Sequence, residues 1–424
     1  MWFFPGQVMV GVIVQKFTLL EVLQGRWWVA LVAFITALAA TPIVRSIAYR
    51  KKIVDRPDDL LKPHKRPVAY LGGLGICLGL LVGLGTYMLI MPGVSQHWQD
   101  LTEGIATASA GRVLENPLWN LGSIALASLV ITFVGLMDDL KNIKPKKKVL
   151  GQIIAAGILL AGGVGIRMVN VLLSPLGVHL PLWLIYLLSS LLCLVMVIAA
   201  CNATNLLDGL DGLCGGVTSI ISLGFLVLAT WLASWGRFPG ADEIRVILCL
   251  AMAGAILGFL PYNIPPASVF MGDAGSMLLG FFVATMMVLF CQEGSLRWFL
   301  AAGVVFALPI LDTALAVVRR LRAGVSIFTG DRSHLYDQLV DRGMSVKQVV
   351  VLFYVLAAST AVLGVVLAIS MRTRHVVVIY GVLLLSVWTL FSVLGMVAPL
   401  PKTPKQKQDD AASSDTEGMT EESP

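Results

Sequence analysis

Charge is scarce in this sequence. Only 13% of its 424 residues are Asp, Glu, Lys or Arg, while 57% are hydrophobic, against roughly 25% charged in a soluble globular domain. With a mean hydropathy of +0.84, the chain is excluded from the class of domains that fold in water alone. The net charge of +6 would suggest nucleic acid in a soluble protein. Here the Lys and Arg residues gather beside apolar runs, where they orient membrane helices, so no nucleic acid is expected as a partner. Cys77, Cys193, Cys201, Cys214, Cys249 and Cys291 show neither CxxC nor Cys/His metal spacing and read as small buried hydrophobes. No basic region precedes the apolar start MWFFPGQVMVGVIVQKF and no small-residue cleavage site follows it. Residues 1–26 are therefore expected to form an extracytoplasmic or interfacial segment rather than a cleaved signal peptide. No internal repeat is visible, so the inverted-repeat signature of many transporters is missing.

What is present is a series of apolar runs of about 20 residues, each long enough to cross a bilayer. Hydropathy places them near Trp27 to Ala48, Leu71 to Met91, Leu121 to Met137, Val149 to Ile166, Leu182 to Ala200, Leu213 to Trp235, Ile244 to Tyr262, Ala274 to Phe290, Trp298 to Val318, Val349 to Met371 and Val376 to Val397. The fold class this predicts is all-α: a polytopic membrane bundle of about eleven helices, because a span in lipid must satisfy its own backbone hydrogen bonds. Alternate loops differ in charge. One set holds Arg45 to Arg66, Lys141 to Lys148 and Arg319 to Lys347; the other has scattered cations such as Arg112, Arg167, Arg237 and Arg297. The positive-inside rule assigns the first set to the cytoplasm, with the N-terminus outside and the C-terminus inside a plasma (inner) membrane. The expected organisation is a membrane domain over 27–398 and a polar tail over 399–424 too poor in apolar residues for a core.

The acidic clusters outside the tail all fall on the cytoplasmic side. Asp138 and Asp139 end the third span, where acids face the negative end of a helix dipole unless a cation or a function compensates. Lys141 and Lys146 to Lys148 are the candidate cations. In NATNLLDGLDGLCGG, Asn202, Asn205, Asp208 and Asp211 recur at every third position straight after an apolar helix, which concentrates amides and carboxylates at one surface. One capping residue would explain one of the four, not all of them. The D-x-D-x-D-G-x₅-E order of an EF-hand is missing. Asp273, in FMGDAGS, opens a helix and could be its N-cap; helix starts also suit phosphate oxygens, and Mg²⁺ needs only one or two protein carboxylates alongside water and phosphates. In RRLRAGVSIFTGDRSHLYDQLVDRG, Arg332 and His334 stand among acids, where Arg can clamp a diphosphate.

Five stretches carry a resemblance in the right order: VDRPDDLLKPHKRPVAYLGG, VGLMDDLKNIKPKKKVLGQ, NATNLLDGLDGL, FMGDAGSMLLG and PILDTALAVVRRLRAGVSIFTGDRSHLYDQL. Together, from Val54 to Gly343, they resemble the polyprenyl-phosphate N-acetylhexosamine-1-phosphate transferases. The resemblance implies transfer of a sugar-1-phosphate from a UDP-N-acetylhexosamine to undecaprenyl (polyprenyl) phosphate, releasing UMP at the start of a cell-envelope polysaccharide. It implies Mg²⁺, with Mn²⁺ as a substitute. Asp273 matches the family's metal-binding acid, with Asn205 or Asp139 as further ligands; Asp138, Asp139 and Asp208 stand at catalytic positions; and Lys62, His64, Asn205, Asp211, Arg332 and His334 at substrate-binding ones. The family's final motif commonly reads His-x-His-His; here Tyr336 and Asp337 take the later places. The partners expected are the UDP-sugar, the lipid phosphate and the bilayer, and a homo-oligomer is compatible with them. The rival reading, a carrier or flippase for a lipid-linked or anionic solute, would place ionisable groups in mid-span; the spans are nearly free of them apart from Asp312.

Overall fold

The computed structural model describes residues 18–55, 67–234, 239–291, 296–324 and 334–395. In chain order the helices are α1 (Leu19–Leu23), α2 (Trp28–Arg50), α3 (Gly72–Ile90), α4 (Val94–Ala106), α5 (Ala110–Leu114), α6 (Pro117–Lys141), α7 (Pro145–Ala161), α8 (Met168–Leu173), α9 (Leu182–Leu207), α10 (Leu213–Ala233), α11 (Pro239–Asn263), α12 (Gly272–Cys291), α13 (Leu296–Val305), α14 (Ala307–Arg322), α15 (Leu335–Asp341), α16 (Val346–Ser370) and α17 (Thr373–Val393). Among the described residues, nine of these are long and apolar enough to cross a membrane, and the α13–α14 pair makes a tenth. The 17-residue α7 sits at the lower length limit for a span. The protein is a multi-pass, all-α membrane protein, as its apolar runs predict.

Two spans differ in detail. The run expected as one helix from Trp298 to Val318 is two, α13 and α14, meeting at 72°. Pro309 explains the break: in a continuous helix its ring would clash with the carbonyl of Val305, which would also lose its partner N–H. The run expected over Val149 to Ile166 starts four residues earlier, because Pro145 suits the first helical position. That shift brings Lys146, Lys147 and Lys148 into the first turns of α7.

Helix α12 is the axis of the bundle. Of its apolar window 94% is buried, against 6% for the peripheral α17, and α12 packs on α3, α6 and α9. Gly135 permits the close crossing of α6, since a Cβ there would overlap the backbone of Asp273 and Ala274. A short antiparallel ladder, β1 (Val54–Asp55) with β2 (Val68–Ala69), pairs Val54 with Ala69 and Asp55 with Val68. Its inner strand carries on into the start of α12: Phe270 N–H donates to the Ala69 carbonyl at 2.9 Å, and Gly72 N–H to the Phe270 carbonyl at 2.9 Å.

The spans hold a buried ion pair that the sequence reading did not allow for. Arg245, in α11, is fully buried, ion-paired to Asp242, with a guanidinium N–H donating to the Leu289 carbonyl at 3.1 Å. This pair lies at the end of α11 and α12 away from Asp273 and links those two helices.

Candidate active site

Asp138, Lys148, Asn205 and Asp273 reach the same end of the bundle from four helices, α6, α7, α9 and α12. Lys148 is the hub: its Nζ lies 2.7 Å from Asp138 Oδ2 and also pairs with Asp273 Oδ2. On the other side of Asp273, Asn205 Nδ2 donates to Oδ1 at 2.8 Å and to Ser276 Oγ at 2.9 Å. Asp273 is thus held on both oxygens. It is not the N-cap of α12 but lies one residue inside it.

The cap is Asp139. Its two carboxylate oxygens accept the N–H of Asp273 at 2.8 Å and of Ala274 at 3.1 Å. These are free donors of a helix start, and the negative carboxylate meets the positive dipole end of α12. Gly272 makes this approach feasible. Its φ is +68°, and a Cβ there would stand 2.6 Å from Asp139 Oδ2. The consecutive acids of α6 therefore part: Asp138 joins the cation cluster, while Asp139 secures the helix that carries Asp273.

Asp208 follows α9 directly as its C-cap, half-buried. Burial, with the charges of Asp273, Asp139 and Asp211 added, raises its carboxyl well above the ordinary value. Among the described residues no hydrogen bond engages its side chain, which leaves the carboxyl available to a substrate. Asp211 is engaged elsewhere, accepting the Ala267 N–H at 2.8 Å; with Asn263, whose Oδ1 accepts the Gly212 N–H at 3.1 Å, it ties the loop after α9 to the loop after α11. Asn202 donates to Gln152 at 3.3 Å and to the Ile198 carbonyl at 2.7 Å, away from Asp273.

His334 is buried at the head of α15. Its Nδ1 lies 2.8 Å from Asp312 Oδ2, and Asp312 Oδ1 accepts the Leu335 N–H at 2.7 Å. Asp312 is thus an orienting group for His334, a role the sequence did not assign. Lys62 and His64, in 56–66, and Arg332, in 325–333, lie outside the described residues.

Lys148 is the residue that sequence reasoning did not single out: it stood among Lys141 and Lys146 to Lys148 as a candidate cation for Asp138 and Asp139, with no place in the site. A signal existed: Gln152, Ala155 and Leu159 form the buried stripe of α7, and Lys148 stands one turn before Gln152 on that stripe, whereas Lys146 and Lys147 are exposed.

The donor set fits a hard divalent cation. Two carboxylates, Asp138 and Asp273, already converge on one positive centre, the Lys148 ammonium, and Mg²⁺ takes one or two carboxylates with water and phosphate completing its shell. Among the described residues, no group of three or more His, Cys, Asp or Glu is placed to hold a metal ion.

The family model described as glycosyl transferase family 4 matches residues 121–291, which run from the second turn of α6 to the end of α12 and hold all four converging residues. The decaprenyl-phosphate N-acetylglucosaminephosphotransferase of Mycobacterium tuberculosis (strain ATCC 25618 / H37Rv) is 32% identical over 341 residues, covering 77% of this chain and 78% of the relative. The probable undecaprenyl-phosphate N-acetylglucosaminyl 1-phosphate transferase of Bacillus subtilis (strain 168) is 27% identical over 377 residues, 87% and 91% of the two chains. The undecaprenyl-phosphate alpha-N-acetylglucosaminyl 1-phosphate transferase of Escherichia coli O157:H7 is 29% identical over 329 residues, 76% and 78%. These relatives are transferases by name and do not favour the carrier reading.

Proposed function

This chain belongs to glycosyl transferase family 4, among the polyprenyl-phosphate N-acetylhexosamine-1-phosphate transferases, and on that premise we propose that it moves N-acetylhexosamine-1-phosphate from a UDP-sugar to polyprenyl phosphate at the cytoplasmic face of the plasma membrane. A lipid-phosphate oxygen attacks the β-phosphorus of the UDP-sugar, the bond from that phosphorus to the bridging oxygen breaks, and UMP leaves. The products are UMP and a polyprenyl-diphosphate sugar. One observation carries this reading: an ammonium, two carboxylates and an amide from four helices converge at the mouth of the bundle, where a lipid-borne phosphate and an aqueous nucleotide can meet without either charge entering hydrocarbon.

Asp273 and Asp138 would hold Mg²⁺. When bound, the ion neutralises phosphate charge as the bridging bond breaks. Asn205 fixes the direction of Asp273, and Asp139 fixes the backbone beneath it. Lys148 offsets the acids and supplies an N–H donor for a phosphate oxygen. Asp208, with its raised proton affinity, takes the proton of the acceptor phosphate and leaves it fully charged for attack. Lys62, His64 and Arg332 are proposed to bind substrate from the loops that follow α2 and α14, and His334 from the head of α15. The test is UMP release by purified enzyme given a panel of UDP-N-acetylhexosamines, polyprenyl phosphate and Mg²⁺. Turnover is expected for the native chain and should vanish in Asp273→Asn; undiminished Mg²⁺-dependent turnover in that variant would refute the assignment.

A further inference from the structure

Tyr336, where the family's motif commonly has its second histidine, makes four contacts, two of them at the end of α9 and the turn that follows it. Its ring is 5% exposed. It stacks on His334 with centroids 5.5 Å apart and planes 8° from parallel, and meets Phe353 of α16 edge-on at 6.5 Å. Its hydroxyl donates to the Leu206 carbonyl at 3.0 Å. That carbonyl is in the last turn of α9, where no intrahelical N–H remains for it. Finally, the hydroxyl end of the ring lies against Gly209, where any Cβ would overlap the hydroxyl and the ring carbons beside it.

Leu206 and Gly209 flank Asp208, and Leu206 directly follows Asn205. We propose that Tyr336 is a positioning residue that latches α15 onto the end of α9 and the turn through Gly209, and so sets the geometry of the nucleotide-sugar subsite. The proposal rests on the transferase reading above. Burial, reinforced by Asp337, Asp312 and Asp208, raises the phenol's proton affinity, so the hydroxyl remains a donor. A histidine at this position has a shorter side chain and cannot repeat the bond to Leu206 from the same backbone.

The test uses the full chain in detergent, with undecaprenyl phosphate and whichever UDP-sugar of the panel the native enzyme turns over. Tyr336→Phe keeps the stack and removes only the hydroxyl. It should raise KM for the UDP-sugar about fivefold, the equivalent of one lost hydrogen bond. Gly209→Ala, which displaces the ring, should raise the same KM, and the double variant should be no worse than the more impaired single one. Native KM values in Tyr336→Phe, additive effects in the double variant, or a fall in kcat with both KM values unchanged would each overturn the latch. Native turnover with an indifferent Tyr336→Phe sinks this inference alone; no UMP release from the native chain sinks the transferase reading with it.

Discussion

Asp139 Oδ1 accepts the backbone N–H of Asp273 at 2.8 Å, so the end of α6 holds the beginning of α12. Because its second oxygen takes the Ala274 N–H, Asp139→Ala leaves two donors of a buried helix start without partners. A lost cap costs about 1 kcal/mol, and here the displaced residue is Asp273. The expected result is a lower melting temperature together with lost UMP release. Asp139→Asn, which keeps one acceptor oxygen, should fall between the variant and the native chain on both measurements.

Lys148 pairs with Asp138 at 2.7 Å and with Asp273. Lys148→Met keeps the stem that packs on α7's buried stripe and removes the charge, leaving two carboxylates facing each other. Turnover should drop by about 10²-fold, the scale of losing one transition-state donor. Half-maximal activity should then need less Mg²⁺ than in the native chain, since no ammonium competes for the acids. A variant with the native Mg²⁺ requirement and turnover would count against Lys148 sharing the cation's place.

The sequence made the bundle and the general place of the site legible, and the physical reasons differ. A span must be apolar along its length, so α2, α3, α6, α9, α12, α16 and α17 announce themselves in hydropathy alone. The break at Phe306 is legible only by asking which carbonyl Pro309 would strike. Arg245 escaped because a single cation hardly changes the mean hydropathy of α11, yet burial forced on it a partner, Asp242, one turn away. Within the site, residue type announced Asp138, Asn205 and Asp273, but not how their oxygens would be shared. Whether Asp138 or Asp139 faces the cation depends on how α6 turns as it crosses α12, and that is fixed by Gly135 in a contact remote in sequence. Lys148 was hidden among equal neighbours until the register of α7 singled it out.

Asp208 makes a prediction with a definite sign. Burial and three neighbouring acids raise its folded-state carboxyl well above the ordinary value. From about pH 4, where an unfolded Asp loses its proton, up to that raised value, the folded chain binds a proton that the unfolded chain releases, so stability falls as pH rises through this window. Asp208→Asn removes the effect. In metal-free buffer the variant should melt above the native chain at neutral pH, with the gap closing toward pH 4, while UMP release is lost. A variant less stable at neutral pH would contradict the surroundings described for this carboxyl.

Asp312 is nearly fully buried and divides its oxygens between His334 Nδ1, at 2.8 Å, and the Leu335 N–H, at 2.7 Å. Asp312→Asn is close in shape, yet its amide has one acceptor oxygen, so either the ring or the N–H must face an NH₂ group that cannot accept. A hydrogen bond to a charged partner contributes about 1.5–3 kcal/mol, and the ring would lose the restraint that aims its other nitrogen. If Asp312 acts through His334, then Asp312→Asn, His334→Ala and the double variant should not be additive: the double variant should turn over no more slowly than His334→Ala alone. Turnover in the double variant equal to the product of the two single losses would instead mean that Asp312 serves the site by a route that bypasses the imidazole, through the head of α15 and the Leu335 N–H it caps.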